Sequence, residues 1–76
     1  MTEYEMQAFW TYMFNKCMAL AEYYPEYTPN EQMPIDRLVE NYMHWAYYKN
    51  GCYFPEMQGS GWMCVYLQNA WADFTA

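Results

Sequence analysis

The chain has 76 residues, of which 18 are aromatic and eight are methionine, whereas Leu, Ile and Val together number six. Its formal net charge of −6 argues against direct binding to nucleic-acid phosphates or anionic lipid headgroups. No uninterrupted apolar run approaches the roughly 20 residues of a membrane span. The aromatic and Met side chains supply enough apolar area to argue against disorder. We therefore expect one folded domain over residues 1–76.

The first predicted element is a helix over about residues 2–24. Thr2 can cap this helix, Glu5 completes a capping-box pattern, and Pro25 is expected to end it. Apolar residues alternate at spacings of four and three, which is typical of an amphipathic helix: they are Met6, Trp10, Met13, Cys17, Leu20 and Tyr24. Three further apolar residues exceed what one neighbouring helix needs and indicate self-association: they are Phe9, Phe14 and Met18.

Residues 25–34 contain three prolines, which predict a stiff, extended connection. A second helix is predicted over about residues 34–50, with Pro34 in its first turn and Asp36 favourable to its dipole. Its predicted buried face comprises Ile35, Leu38, Val39, Tyr42, Trp45 and Ala46. The pair Asn50-Gly51 suits a helix end, although β-forming neighbours make a hairpin turn the rival interpretation.

The third predicted helix covers about residues 61–74. One helical face would carry the apolar residues Met63, Leu67, Ala70, Trp71 and Phe74. The continuous apolar run at 62–67 also has the length of a strand. The fold prediction is therefore a small all-α, three-helix domain. The alternative is an α+β fold with a short hairpin around Asn50-Gly51 and a strand at 62–67.

The sequence contains no familiar pattern of catalytic or metal-binding residues. The potential zinc ligands Cys17, His44, Cys52 and Cys64 are separated by 27, 8 and 12 residues, whereas structural zinc sites use closely spaced pairs. His44 follows Glu40 by four residues, which suits a hydrogen-bonded histidine on a helix surface. We expect no enzymatic activity, no catalytic residue, no bound metal and no cofactor.

The cysteine pattern bears on the compartment. Three cysteines are an odd number, no Cys-x-x-Cys occurs, and the acidic N-terminal residues differ from a basic secretory signal. Reduced thiols in a cytoplasmic protein are the expectation.

Residues 22–40, called the acidic segment below, hold five carboxylates against Arg37, together with several tyrosines. Such a surface suits a basic groove, because carboxylates can replace phosphates and tyrosine rings stack on Arg or Lys. The predicted partner-binding residues are Glu22, Tyr23, Glu26, Tyr27, Glu31, Asp36 and Glu40.

These observations predict a small acidic inhibitor or regulator that covers the basic, nucleic-acid-binding site of a target protein. Small acidic inhibitors encoded by phages and mobile elements are an analogy for this size and charge, without a shared motif. The alternative is a self-associating structural or adaptor module, such as a homodimer. A designed sequence is a weaker interpretation, because idealised helices favour Leu, Ala, Glu and Lys.

Overall fold

The computed structural model describes residues 2–46 and 62–76, with side chains of the last helix from Val65 onward. Three helices make up this part of the chain: α1 (Glu3–Ala21), α2 (Ile35–His44) and α3 (Trp62–Thr75). None of the described residues is in a strand, so the all-α prediction is confirmed. The alternative strand at 62–67 is wrong, because these residues form the start of α3.

The start of α1 follows the predicted capping box. The Glu5 amide donates a hydrogen bond to Thr2 Oγ1 and the Thr2 amide donates one to Glu5 Oε1, each with a length of 3.1 Å. The helix ends at Ala21, three residues before the predicted limit. A proline ring clashes with the carbonyl four residues before it and disfavours helical backbone in the preceding residue, so Pro25 already restricts Ala21 and Tyr24.

The connection after α1 is not simply extended. Pro25–Tyr27 forms a 3₁₀ turn, and Tyr27 is only 5% exposed. The Tyr27 carbonyl accepts a 2.6 Å hydrogen bond from Asn41 Nδ2, while its hydroxyl lies 2.8 Å from His44 Nδ1. These contacts join the connection to α2, so the prediction of an extended loop needs this correction.

The second helix begins as predicted, with Pro34 as its cap and Asp36 in its first turn. The Pro34 carbonyl accepts the amides of Arg37 and Leu38, each at 3.1 Å. Residues 45–46 continue as a π-helical turn. The predicted helix end at 50 and the Asn50-Gly51 hairpin alternative lie outside the described residues.

All three helices contribute to one apolar core. Its buried members are Phe9, Met13, Cys17, Leu38, Val39, Met43, Tyr66 and Ala70. The predicted apolar stripe of α1 is therefore rotated towards Phe9, and Met6 is 42% exposed. The reason is that α1 contacts both α2 and α3, so the most buried side chains face the space between these two helices.

Candidate functional site

The acidic segment exposes most of its carboxylates. Glu22, Glu26, Glu31 and Asp36 are exposed and Glu40 is half-buried. In the described part of the chain, one ion pair is present, between Lys16 Nζ and Asp73 Oδ2 at a distance of 3.9 Å. None of the five carboxylates of the acidic segment is therefore paired with a cation of the described part, so the described Lys and Arg side chains do not neutralise them.

The end of α1 concentrates this negative charge. Glu22 is the C-cap residue, and the last turn of the helix contains no basic residue. A helix C-terminus already carries a partial negative charge, so a carboxylate there is unfavourable to the folded chain. Glu26 follows in the 3₁₀ turn. This region of α1 combines two carboxylates with the negative end of the helix dipole.

Two tyrosines of the acidic segment are accessible, and the third is not. Tyr23 is 79% exposed. Tyr24 is partly exposed, and its ring centroid lies 6.4 Å from that of Trp45. Tyr27 is buried against α2 by its contacts with Asn41 and His44. Its placement among the partner-binding residues is therefore corrected, because it positions the connection rather than offering a surface.

Beside Tyr23, an aromatic cleft of about 320 Å³ opens between the end of α1 and α2. It is lined by Lys16, Ala19, Leu20, Tyr23, Tyr24, Tyr42 and Trp45. Lys16 Nζ lies 5.2 Å from the ring centroid of Tyr12 and 5.9 Å from that of Tyr42, so these rings already hold a cation. The sequence prediction missed this cleft, since it depends on how two helices cross. Its signals in the sequence are the adjacent Tyr23 and Tyr24 and the three-residue spacing of Tyr42 and Trp45.

The three predicted self-association residues have different environments. Phe9 is 2% exposed, with ring centroids 5.2 Å from Trp71 and 5.4 Å from Phe74. It belongs to the core of one chain, so its assignment to a dimer surface is corrected. Phe14 is half-buried and stacks on Trp10 at 5.0 Å. Met18 remains 46% exposed.

The Cys17 thiol and the His44 ring are the two candidate reactive groups whose surroundings the structure describes. Burial raises the pKa of the Cys17 thiol, and a hydrogen bond involving Asn41 opposes this shift. His44 Nδ1 meets the Tyr27 hydroxyl. No group of three potential metal ligands occurs within residues 2–46 and 62–76, and the side chains of Cys52 and Cys64 lie outside the described part.

Comparison with known proteins finds no matching family model, curated protein or solved structure. Within the described ranges, no helix has both the length and the apolar character needed to cross a membrane.

Proposed function

We propose that this chain is a non-enzymatic inhibitor or regulator that covers a basic, nucleic-acid-binding surface of a partner protein. The observation that carries the proposal is the exposed Glu22 carboxylate at the negative end of α1, with no basic residue in the last helical turn. This arrangement is unfavourable in the isolated chain. A cationic partner would convert the same arrangement into a favourable contact.

The chemistry of the acidic segment supports a basic partner. Carboxylates accept paired hydrogen bonds from Arg, as phosphates do. Opposite charges also speed association by steering the partners together before contact. Because Glu22, Glu26 and Glu31 are exposed and form no ion pair within the described part, a partner would displace no described cation from them.

Tyrosine supplies the contact area that charge alone does not provide. Tyr23 is largely exposed beside the aromatic cleft, and tyrosine is enriched among residues that dominate binding energy. The cation held between Tyr12 and Tyr42 illustrates how such rings receive Lys or Arg. In this proposal the partner places basic side chains over Tyr23 and between the surrounding carboxylates.

The proposed mode of action is occlusion, not chemistry. The Cys17 thiol is buried with a raised pKa, which suits packing better than nucleophilic attack. We place this action in the cytoplasm, by analogy with the small acidic inhibitors that phages and mobile elements encode. Nucleic acid and the acidic segment would compete for one basic site.

The first prediction concerns capture of such a partner. Immobilised protein should retain a nucleic-acid-binding protein from a cell lysate, and an excess of duplex DNA should release it. Substitution of Glu22→Gln with Glu26→Gln should slow association with the captured protein, because electrostatic steering is weakened. The slowing should be greatest at low salt, and surface plasmon resonance measures it.

A matched control changes the charge elsewhere by the same amount. Thr11→Lys with Asn15→Lys raises the net charge by two, as the Glu22/Glu26 pair does, on exposed positions of α1 away from its end. This control should retain most of the association rate. Equal slowing in both variants, or capture that duplex DNA does not disturb, would contradict the proposed function.

A further inference from the structure

A second surface lies at the opposite end of α1, where an apolar groove of about 370 Å³ opens between the three helices. Its lining residues are Met6, Phe9, Ile35, Leu67, Gln68 and Trp71. Phe9 is buried, whereas Ile35, Leu67 and Trp71 are half-buried and Met6 is 42% exposed. Gln68 is the sole polar member of this lining, so water inside the groove finds few hydrogen-bond partners.

Met6 separates this groove from a neighbouring hollow that has a different character. The hollow is lined by Thr2, Glu3, Met6, Gln7 and Trp10. Glu3 is exposed, and none of the described cations pairs with it. No Lys or Arg lines either depression. An occupant therefore meets apolar walls on one side of Met6 and a carboxylate on the other.

Size and charge together identify the occupant. The groove is near the lower end of the roughly 300–1,000 Å³ typical of small-molecule pockets, which suits one inserted side chain. A second copy of this chain would bring another net charge of −6, so like charges would oppose it. A cationic segment instead gains from Glu3.

We propose that the groove binds an apolar side chain from a short amphipathic segment of a basic partner protein, with a neighbouring Lys or Arg contacting Glu3. Recognition of this kind places an apolar anchor in a groove while flanking charges select the partner. The inference assigns a surface beyond the proposed function. Along the 19 residues of α1, Glu3 and Ala21 are about 27 Å apart at about 1.5 Å per residue, so the Glu3 side of the site lies far from Glu22 at the other end of the helix. The acidic segment contributes Ile35 to the lining of the groove.

The test uses random peptides displayed on phage and selected against the immobilised chain. Enriched peptides should pair a large apolar residue with Lys or Arg within one helical turn. Met6→Lys should weaken their binding about tenfold or more, because it places a cation at the centre of the site. Fluorescence anisotropy of labelled peptides measures the change.

The matched control is Met18→Lys, which introduces the same cation on the same helix at a residue of similar exposure, 46% against 42%. It should change peptide affinity less than about twofold. Circular dichroism checks that both variants are folded. If Met6→Lys unfolds the chain, Gln68→Lys brings a cation to the groove from an exposed position on α3.

Further arms separate this inference from the other proposals. Glu22→Gln with Glu26→Gln should leave peptide affinity unchanged, whereas Glu3→Gln should reduce it in a manner that added salt removes. Equal loss with Met6→Lys and Met18→Lys, or enrichment of acidic peptides or of none, would overturn the inference.

Two other occupants would also overturn it. One is a second copy, detected by sedimentation as a dimer that Met6→Lys dissociates. The other is the segment 47–61 of the same chain, detected by nuclear Overhauser contacts to the Met6 methyl in the free protein.

Discussion

Tyr12 connects two helices through its hydroxyl and its ring. The hydroxyl of this α1 residue donates a 2.7 Å hydrogen bond to Asp73 Oδ2 on α3. Lys16 Nζ lies over the ring and 3.9 Å from the same carboxylate oxygen. Burial, followed by the hydrogen bond to Asp73 and its negative charge, raises the pKa of Tyr12 to about 12.

This pKa shift predicts a loss of stability at high pH. The ordinary pKa of tyrosine is 10.0, so between about pH 10 and 12 the unfolded chain loses the Tyr12 proton while the folded chain retains it. The stabilisation is complete below this window and is lost as pH rises through it. Tyr12→Phe should therefore show a weaker alkaline decline in the free energy of unfolding, measured by urea denaturation.

The control for this experiment is Tyr4→Phe, which removes a phenol that is 83% exposed. It should keep the alkaline decline of the wild-type chain. Asp73→Asn removes both the hydrogen-bonded carboxylate and its charge, so it should flatten the decline partly. A Tyr12→Phe variant with the same alkaline decline as the wild type would refute the assignment.

At the residue scale, sequence reasoning placed exposed carboxylates better than it placed aromatic rings. Carboxylates stay in water unless they are paired, whereas a tyrosine can lie in either environment if its hydroxyl finds a partner. Tyr27 finds His44, which is 17 residues away. No local pattern reveals a contact over that separation, so Tyr27 was wrongly assigned to the surface.

At the scale of one element, the two ends of α1 have opposite electrostatic character. Glu3 and Glu5 lie in the first turn, where carboxylates complement the helix dipole, and the hydrogen bonds with Thr2 lower the pKa of Glu5. The other end has Glu22 as its cap and no basic residue. The helix is therefore well stabilised at its start and poorly at its end.

This asymmetry predicts that replacing Glu22 by a cation changes the stability of the chain and its affinity for a basic partner in opposite directions. Glu22→Lys should raise the free energy of unfolding by about 0.3–1 kcal/mol, because a cation complements the helix C-terminus. The same change should weaken binding to a basic partner. Thermal denaturation and surface plasmon resonance give the two values.

The same Glu→Lys substitution at the other end of the helix is the control, with the opposite effect expected. Glu3→Lys should lower stability, because it removes a favourable carboxylate from the first turn. If Glu22→Lys lowered stability, Glu22 would not be unfavourable to the folded chain. If it left the affinity for a captured partner unchanged, Glu22 would not contribute to binding.

Local signals predicted where elements begin, and long-range packing decided which faces are buried. Thr2, Glu5 and Pro34 act within one turn of their own position, so the starts of α1 and α2 were predicted correctly. The buried face of α1 depends on the positions of both α2 and α3. The pattern judged against one neighbour therefore predicted the burial of Met13, Cys17 and Leu20 correctly. It placed Met6 in the buried stripe, where the structure buries Phe9 instead.

At the scale of the whole molecule, the aromatic and Met residues divide between core and surface. Among the described aromatic residues, Phe9, Tyr27 and Tyr66 are buried, and further rings pack around them. Met18 and Tyr23 remain exposed, as do four of the five carboxylates of the acidic segment. Apolar contact area and unpaired negative charge therefore occur together on the exterior, which is the combination that the proposed function requires.

The charge of the whole chain predicts how it responds to salt. At about 0.01 M salt, electrostatic interactions extend about 30 Å, comparable to the longest dimension of the chain, 34 Å. The carboxylates then repel one another across the molecule, and the described part contains one ion pair to offset this. Raising NaCl to about 0.15 M shortens the range to about 8 Å, so the melting temperature should rise.

Binding to a basic partner should change in the opposite direction over the same salt range, because screening also removes the attraction that steers association. Calorimetric melting and association rates, measured in parallel, test both signs. Glu22→Gln with Glu26→Gln should show a smaller salt effect on each. A melting temperature that falls with salt would mean that attractive ion pairs outweigh repulsion among the carboxylates. The acidic exterior would then stabilise the folded chain, which contradicts the prediction.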